Sequence, residues 1–328
     1  MAVMVTGGLG VIGSLVVRKL VESGQRPVVY EMRVDDTKLV SDIVGRFDLV
    51  QGDVNDAQKL TATVHEYSVD RIIHMAAELD PRLVKPPIHL INVNILGTAN
   101  ILEIVRLLKL KRVVYCSTRG VYEDISGEYN YPTYRPVTED YPKMSAPSSH
   151  SLYDATKQFC EHLLYKYHQI YGIDFLALRF GSTFSPGKQA RHGPMSIVCQ
   201  MIENAMQGLP TVIPRGGDER DDFVYTKDIA HALVLAAFVE KTEHRYFHIA
   251  RGEARSLKDM AQAVKEVFPD AIIEIGPGSD FRGLGIHYSC AYDISRARAE
   301  LGYEPQFGLS EAVRDYVQMV QRLGLLQG

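Results

Sequence analysis

Short apolar runs alternate with longer amphipathic stretches through the first 180 residues of the chain. The runs at 3–5, 27–30, 47–50, 71–75, 112–116 and 174–179 have the length and the aliphatic content of buried strands. Between them, apolar positions recur at helical spacing over 12–23, 56–67, 92–108 and 151–171. Strands that alternate with helices predict an α/β fold, a doubly wound parallel sheet that gathers ligands at the carboxyl ends of its strands. Past residue 180 the rhythm breaks. A loop rich in Gly, Pro, Lys and Arg is expected over 182–194 and a helix over 195–208. A strand at 223–225 and a helix over 228–239 are expected to return to the main sheet, with short strands near 246–250 and 271–275 in a smaller lobe. The Tyr- and Pro-rich stretch 123–141 lacks periodicity and is either a flap over the site or an ordered surface loop.

The junction between the first strand and the first helix carries a chemical signal. Thr6-Gly7-Gly8-Leu9-Gly10-Val11-Ile12-Gly13 sets Gly7, Gly10 and Gly13 three residues apart, a variant of the dinucleotide fingerprint. The first glycine allows the tight turn, the second lets backbone approach a pyrophosphate, and the third lets the helix pack close to the strand. The helix N-terminus offers N–H donors to the anion. On this reading, 1–180 plus about 220–245 form a dinucleotide-binding domain, and 181–219 plus 246–328 form a smaller C-terminal substrate lobe. Glu31 ends the second strand, where a carboxylate accepts from ribose hydroxyls and repels a 2′-phosphate, which points to NAD. Arg33, two residues on, is able to accommodate that phosphate and pulls the other way.

Composition narrows the classes. The 328 residues are 46% hydrophobic with a net charge of −4, and no basic stripe invites nucleic acid. No run of about 18 apolar residues is evident, so no membrane association is expected. With a strand expected from Val3, no leader segment is expected either, and the protein reads as cytoplasmic. Cys116, Cys160, Cys199 and Cys290 are scattered, without ligand spacing, and read as small core residues rather than disulfides or a metal site.

Tyr153 and Lys157 stand four apart at the start of a helix, on one face. An ammonium beside a phenol favours the phenolate, which fits the tyrosine for general-base work. Cys116-Ser117-Thr118-Arg119-Gly120 follows the fifth strand and brings hydroxyls to the same sheet edge. With these residues the chain resembles the extended short-chain dehydrogenase/reductases, the nucleotide-sugar epimerases and dehydratases, over nearly its whole length. The resemblance includes Met75-Ala76-Ala77, Asn94 in Asn94-Ile95-Leu96-Gly97-Thr98, Leu178-Arg179-Phe180, the run from Phe223 to Ala230, and Leu301-Gly302-Tyr303-Glu304-Pro305.

The resemblance implies an NAD-dependent enzyme. Tyr153 would exchange a proton with a substrate hydroxyl, Lys157 would hold the nicotinamide ribose, and Thr118 would donate to the same substrate oxygen. Ser117 would lie near the nicotinamide, and Asp53-Val54 would meet the adenine, against the plainer reading of Asp53 as a turn residue. Gly7, Gly10, Val11, Ile12, Gly13, Glu31, Met75, Ala76, Ala77, Asn94 and Phe180 complete the expected cofactor set. Ser182, Arg220 and Arg282 are the expected substrate contacts, with Lys188 and Arg191 as further cations and Arg220 the first choice for a phosphate. His74 and Arg179 read as packing or ion-pair residues.

Sugar dehydratases of this kind carry an Asp-Glu pair after the threonine, where this chain has Arg119 and Gly120. Related decarboxylases favour glutamate at the position of Gly120. Two readings remain: an NAD-dependent epimerase acting on a nucleotide-sugar through a transient keto intermediate, or an NAD-dependent dehydrogenase of a sugar or other small hydroxy compound. A cofactor-binding regulator without catalysis is disfavoured by the intact Thr118, Tyr153 and Lys157. A homodimer is implied as well, through helices 92–108 and 151–171, where Ile95, Ile101, Leu102, Val105 and Leu108 offer more apolar surface than one core face needs, some of it for a partner.

Overall fold

The computed structural model describes residues 2–79, 86–145, 151–192, 196–283, 285 and 289–326. Seven strands form one fully parallel sheet: β1 (Ala2–Thr6), β2 (Val28–Glu31), β3 (Asp48–Gln51), β4 (Val69–His74), β5 (Arg112–Thr118), β6 (Phe175–Phe180) and β7 (Tyr246–Ile249). Their order is β3-β2-β1-β4-β5-β6-β7. The order reverses between β1 and β4, so the turn that leaves β1 opens into the crevice at the switch point. The inner strands are buried on both faces, which is why they read as continuous apolar runs.

Helices cover both faces. On one, Leu15, Val16 and Leu20 of the helix Gly13–Glu22 share a core with Ile229 and Leu233 of Thr226–Phe238. On the other, Leu60, Ile101, Leu102, Val105 and Leu164 pack from Ala57–Glu66, Gly97–Leu107 and Leu152–Tyr171. Asp56 and Ser151 cap two of these helices by accepting from the N–H of Lys59 and Asp154. Pro87–Leu107 runs as one helix with a π turn at Asn92–Leu96. Contrary to expectation, its length and composition would suffice to cross a membrane. In this fold part of its surface, including Asn94 and Thr98, is buried.

Two strands sit elsewhere than expected. Tyr246–Ile249 does not belong to the smaller lobe; it is the edge strand of the main sheet, bonded to β6. Phe223–Tyr225 does not return to that sheet but pairs in parallel with Ser182–Phe184, within the stretch expected to be loop. Runs of three or four apolar residues fit either place, and long-range pairing decides. Lys188–His192 adds a short helix to the same stretch, while 193–195, including the expected helix start, lie outside the described residues. A second core gathers Phe184, Met201, Ile202, Phe223, Met260 and Tyr316 beside the main sheet.

Candidate active site

The glycine turn is built as a cradle. Gly7 has φ +69°, and a Cβ there would stand 2.8 Å from the backbone nitrogen of Ala76. A Cβ on Gly13 would come within 2.2 Å of the Gly7 carbonyl oxygen. Any larger residue would push the turn off β4 or the helix off the turn. The helix opens at Gly13 with no side-chain cap; Ser14, Leu15 and Val16 donate to the carbonyls of Gly10 and Ile12, and the N–H groups of Val11, Ile12 and Gly13 are left for a ligand. Glu31 stands at the turn's flank, accepting from the N–H of Leu9 at 3.3 Å and of Met32 at 3.0 Å. Asp53 shapes the turn through Oδ1, which accepts from the Asn55 backbone N–H at 2.9 Å and from Asn55 Nδ2 at 3.1 Å. Asn55 Oδ1 is left buried without a partner beside Asp53 and the buried Val54, an acceptor that fits an exocyclic amine. Cradle, uncapped helix, the carboxylate at the turn's flank and the orphaned acceptor together fit a dinucleotide.

The segment leaving β4 is pinned at both ends. Thr6 Oγ1 accepts from the N–H of Met75 and of Ala76, both at 3.2 Å, so its own hydrogen goes to His74 Nδ1 at 2.7 Å. His74 Nε2 then donates to Thr98 Oγ1, which donates to the Asn94 carbonyl. This fixes the neutral tautomer. Burial, with Lys157 nearby, pushes the His74 pKa down to about 3. The Asn94 side chain takes the Glu78 N–H and donates to the Glu78 carbonyl and to Thr156. Asn94 therefore acts on Ala77 and its neighbours through backbone, from a π turn that aims it inward. His74 and Arg179 are internal, as read: Arg179 makes a two-nitrogen pair with Glu161 and donates to Tyr122 and to the Glu139 carbonyl.

At the ends of β5 and β6, Thr118 lies in register with Phe180. Thr118 Oγ1 accepts from the Gly120 N–H at 3.1 Å, which leaves its hydrogen to donate outward. Ser117 turns inward and gives its hydrogen to Glu161 at 2.6 Å. Lys157 donates to the Cys116 carbonyl at 2.8 Å, with its ammonium 5.7 Å from the Tyr153 ring centre. In this arrangement burial outweighs the expected pull of the Lys157 ammonium on Tyr153. Burial, followed by the Asp154 carboxylate, holds the Tyr153 phenol above its ordinary range, and burial also lowers the Lys157 ammonium. Sequence reasoning overlooked Asp154, held by a 2.6 Å bond from Ser151. A Cβ on Gly120 would stand 1.8 Å from Asp154 Oδ1, so the glycine makes room for that carboxylate.

Ser182 and Arg282, far apart in sequence, meet. Arg282 donates to Ser182 Oγ at 2.5 Å and to Asp221 Oδ2 at 2.8 Å, while Arg119 donates to Asp221 Oδ1 at 2.7 Å. Burial raises the Asp221 carboxyl, and the two guanidiniums outweigh it and hold it below the usual aspartate range. Arg220 does not join them. It is exposed on the strand Arg220–Asp221, with its N–H on the Tyr134 hydroxyl. Strand alternation turns the neighbouring Asp221 inward instead. Lys188 donates to Thr183 Oγ1 at 2.7 Å, and burial lowers it to about 8, with Arg282 and Arg119 adding to the fall. Arg191 points away from this cluster, to Leu9 and Asp36. Among the described residues no group of three His, Cys, Asp or Glu side chains forms a metal site.

The sequence profile of the NAD-dependent epimerase/dehydratase family matches residues 3–250. The chain belongs to that family. It is an NAD-dependent enzyme of the epimerase/dehydratase type. Among family members, it is 28% identical to UDP-glucose 4-epimerase of Mycolicibacterium smegmatis, covering 97% of this chain and 98% of the relative. It is 27% identical to UDP-glucuronic acid decarboxylase 3 of Arabidopsis thaliana over 95% of this chain and 87% of that one. The fold is similar to the NAD complex of Thermus thermophilus UDP-glucose 4-epimerase, with a TM-score of 0.79, 26% identity and coverage of 98% and 99%.

Proposed function

We propose that this family member epimerises a nucleotide-sugar through a transient keto intermediate. The observation that carries the reading is the pair of positions after Thr118. Arg119 bears no acid, and Gly120 has no room for one while Asp154 is in place. Dehydration and decarboxylation are thereby left without the acids expected at those positions, whereas Thr118, Tyr153 and Lys157 keep the groups for moving a proton on and off a sugar hydroxyl. NAD, when bound, supplies the hydride acceptor and donor. Tyr153 as the phenolate takes the hydroxyl proton and, now the phenol, returns it to the carbonyl oxygen. Thr118 holds that oxygen with its outward hydrogen, and Lys157 braces the phenol from the Cys116 carbonyl. Ser182 and Arg282 would take the anionic part of the substrate, in place of Arg220.

One observation favours the dehydrogenase reading: Asp221 already neutralises guanidinium charge where a diphosphate would be met. A thermal-shift screen of UDP-, dTDP- and GDP-sugars, followed by chromatography of the incubated sugar, separates the two. Binding and formation of an epimer without net NADH support epimerisation. Accumulation of NADH with a small polyol or hydroxy acid, and no nucleotide-sugar binding, would replace it.

A further inference from the structure

We propose that Arg191 is a clasp that retains the dinucleotide, closing the substrate-side segment 182–192 over the cofactor crevice. The proposal rests on the NAD assignment and deepens the epimerase reading, in which the same cofactor must stay bound between two half-reactions. Arg191 Nη1 donates to the Leu9 carbonyl at 2.7 Å, and Nη2 donates to Asp36 Oδ2 at 2.6 Å. Leu9 lies inside the glycine turn, and Asp36 lies in the segment that follows Glu31. One planar guanidinium therefore spans the turns that leave β1 and β2, the two that flank the dinucleotide.

Both ends of the clasp stand on braced ground. Arg18 fixes the far turn by donating to both oxygens of Asp42, at 2.9 and 2.7 Å, and to the Leu39 carbonyl at 3.1 Å. On the near side, Gly187 (φ +76°) packs so closely that a Cβ there would reach 3.0 Å from Leu39 Cδ2. Lys188 anchors the base of the short helix to Thr183. Leu9 offers Arg191 its carbonyl, leaving the N–H groups of Val11, Ile12 and Gly13 for phosphate, and the guanidinium adds positive potential beside them. Opening the crevice from this side means breaking two charge-assisted bonds at once.

The test is the rate of NAD loss from holoprotein. Unmodified protein, Arg191→Ala and Asp36→Ala are loaded with NAD and desalted, and released NAD is followed over time. Arg191→Ala should lose NAD at least about tenfold faster than unmodified protein, and Asp36→Ala by a smaller factor, since the bond to Leu9 remains. Equal release rates for Arg191→Ala and unmodified protein would overturn the clasp while leaving a retained-cofactor epimerase standing. Rapid loss from unmodified protein, faster still in Arg191→Ala, would uphold the clasp and count against the epimerase reading.

Discussion

Asp154 and Gly120 are a matched pair: a carboxylate fills the volume that any side chain at position 120 would enter. Gly120→Ala should lower stability by about 1–3 kcal/mol through overpacking of a held side chain. The same change in an Asp154→Ala background should cost far less. Additive losses in urea unfolding would show that the two positions are independent. Tyr153→Phe should reduce turnover by about 10²–10⁴-fold while NAD affinity stays within a few fold, because the ring still packs and only the proton carrier is lost. A variant that keeps most of its turnover would remove Tyr153 from the chemistry. At this scale the sequence showed which groups were present but not how they were spent. Tyr153, Lys157 and Thr118 were legible as spacing and strand-end position. The committed hydroxyl of Ser117 and the outward turn of Arg220 were not, because they depend on Glu161 reaching Ser117 and on Arg119 and Arg282 reaching Asp221 from distant segments.

Among elements, the bond chain from Thr6 through His74 and Thr98 to Asn94 ties β1, β4 and the helix Pro87–Leu107 together. It requires neutral imidazole. The His74 pKa is about 3 in the fold, against the ordinary value of 6.5, so the folded state excludes a proton that the unfolded chain binds. Its contribution is fully present above pH 6.5 and is lost as pH falls from there toward 3, by up to about 1.4 kcal/mol per pH unit. Unfolding measured from pH 7 to 4 should therefore fall more steeply for unmodified protein than for His74→Gln. Parallel curves would contradict the chain. The six strands before residue 180 were legible from their apolar runs, whereas Tyr246–Ile249 and Phe223–Tyr225 were misplaced because strands of four and three residues carry no signal of their partners.

For the whole molecule, the same two helices expected at a dimer interface leave apolar side chains in the open. Ile88, Leu96, Leu107, Phe159 and Ile170 are 50–67% exposed, while Ile101, Leu102 and Val105, of the five residues from which some partner surface was expected, are buried in the chain's own core. We propose that a second copy covers this surface. Sedimentation should give a dimer at micromolar concentration, and Leu107→Glu with Ile170→Glu should shift it to monomer; a monomeric unmodified protein would defeat the proposal. The central claim, that one molecule removes and restores the same hydride, is tested most directly with a nucleotide-sugar found to bind, deuterated at the reacting carbon and incubated with holoprotein. The account predicts that the epimer keeps the label at that carbon and that no label enters free nicotinamide nucleotide. Label accumulating in free NADH, with a keto product released, would contradict it.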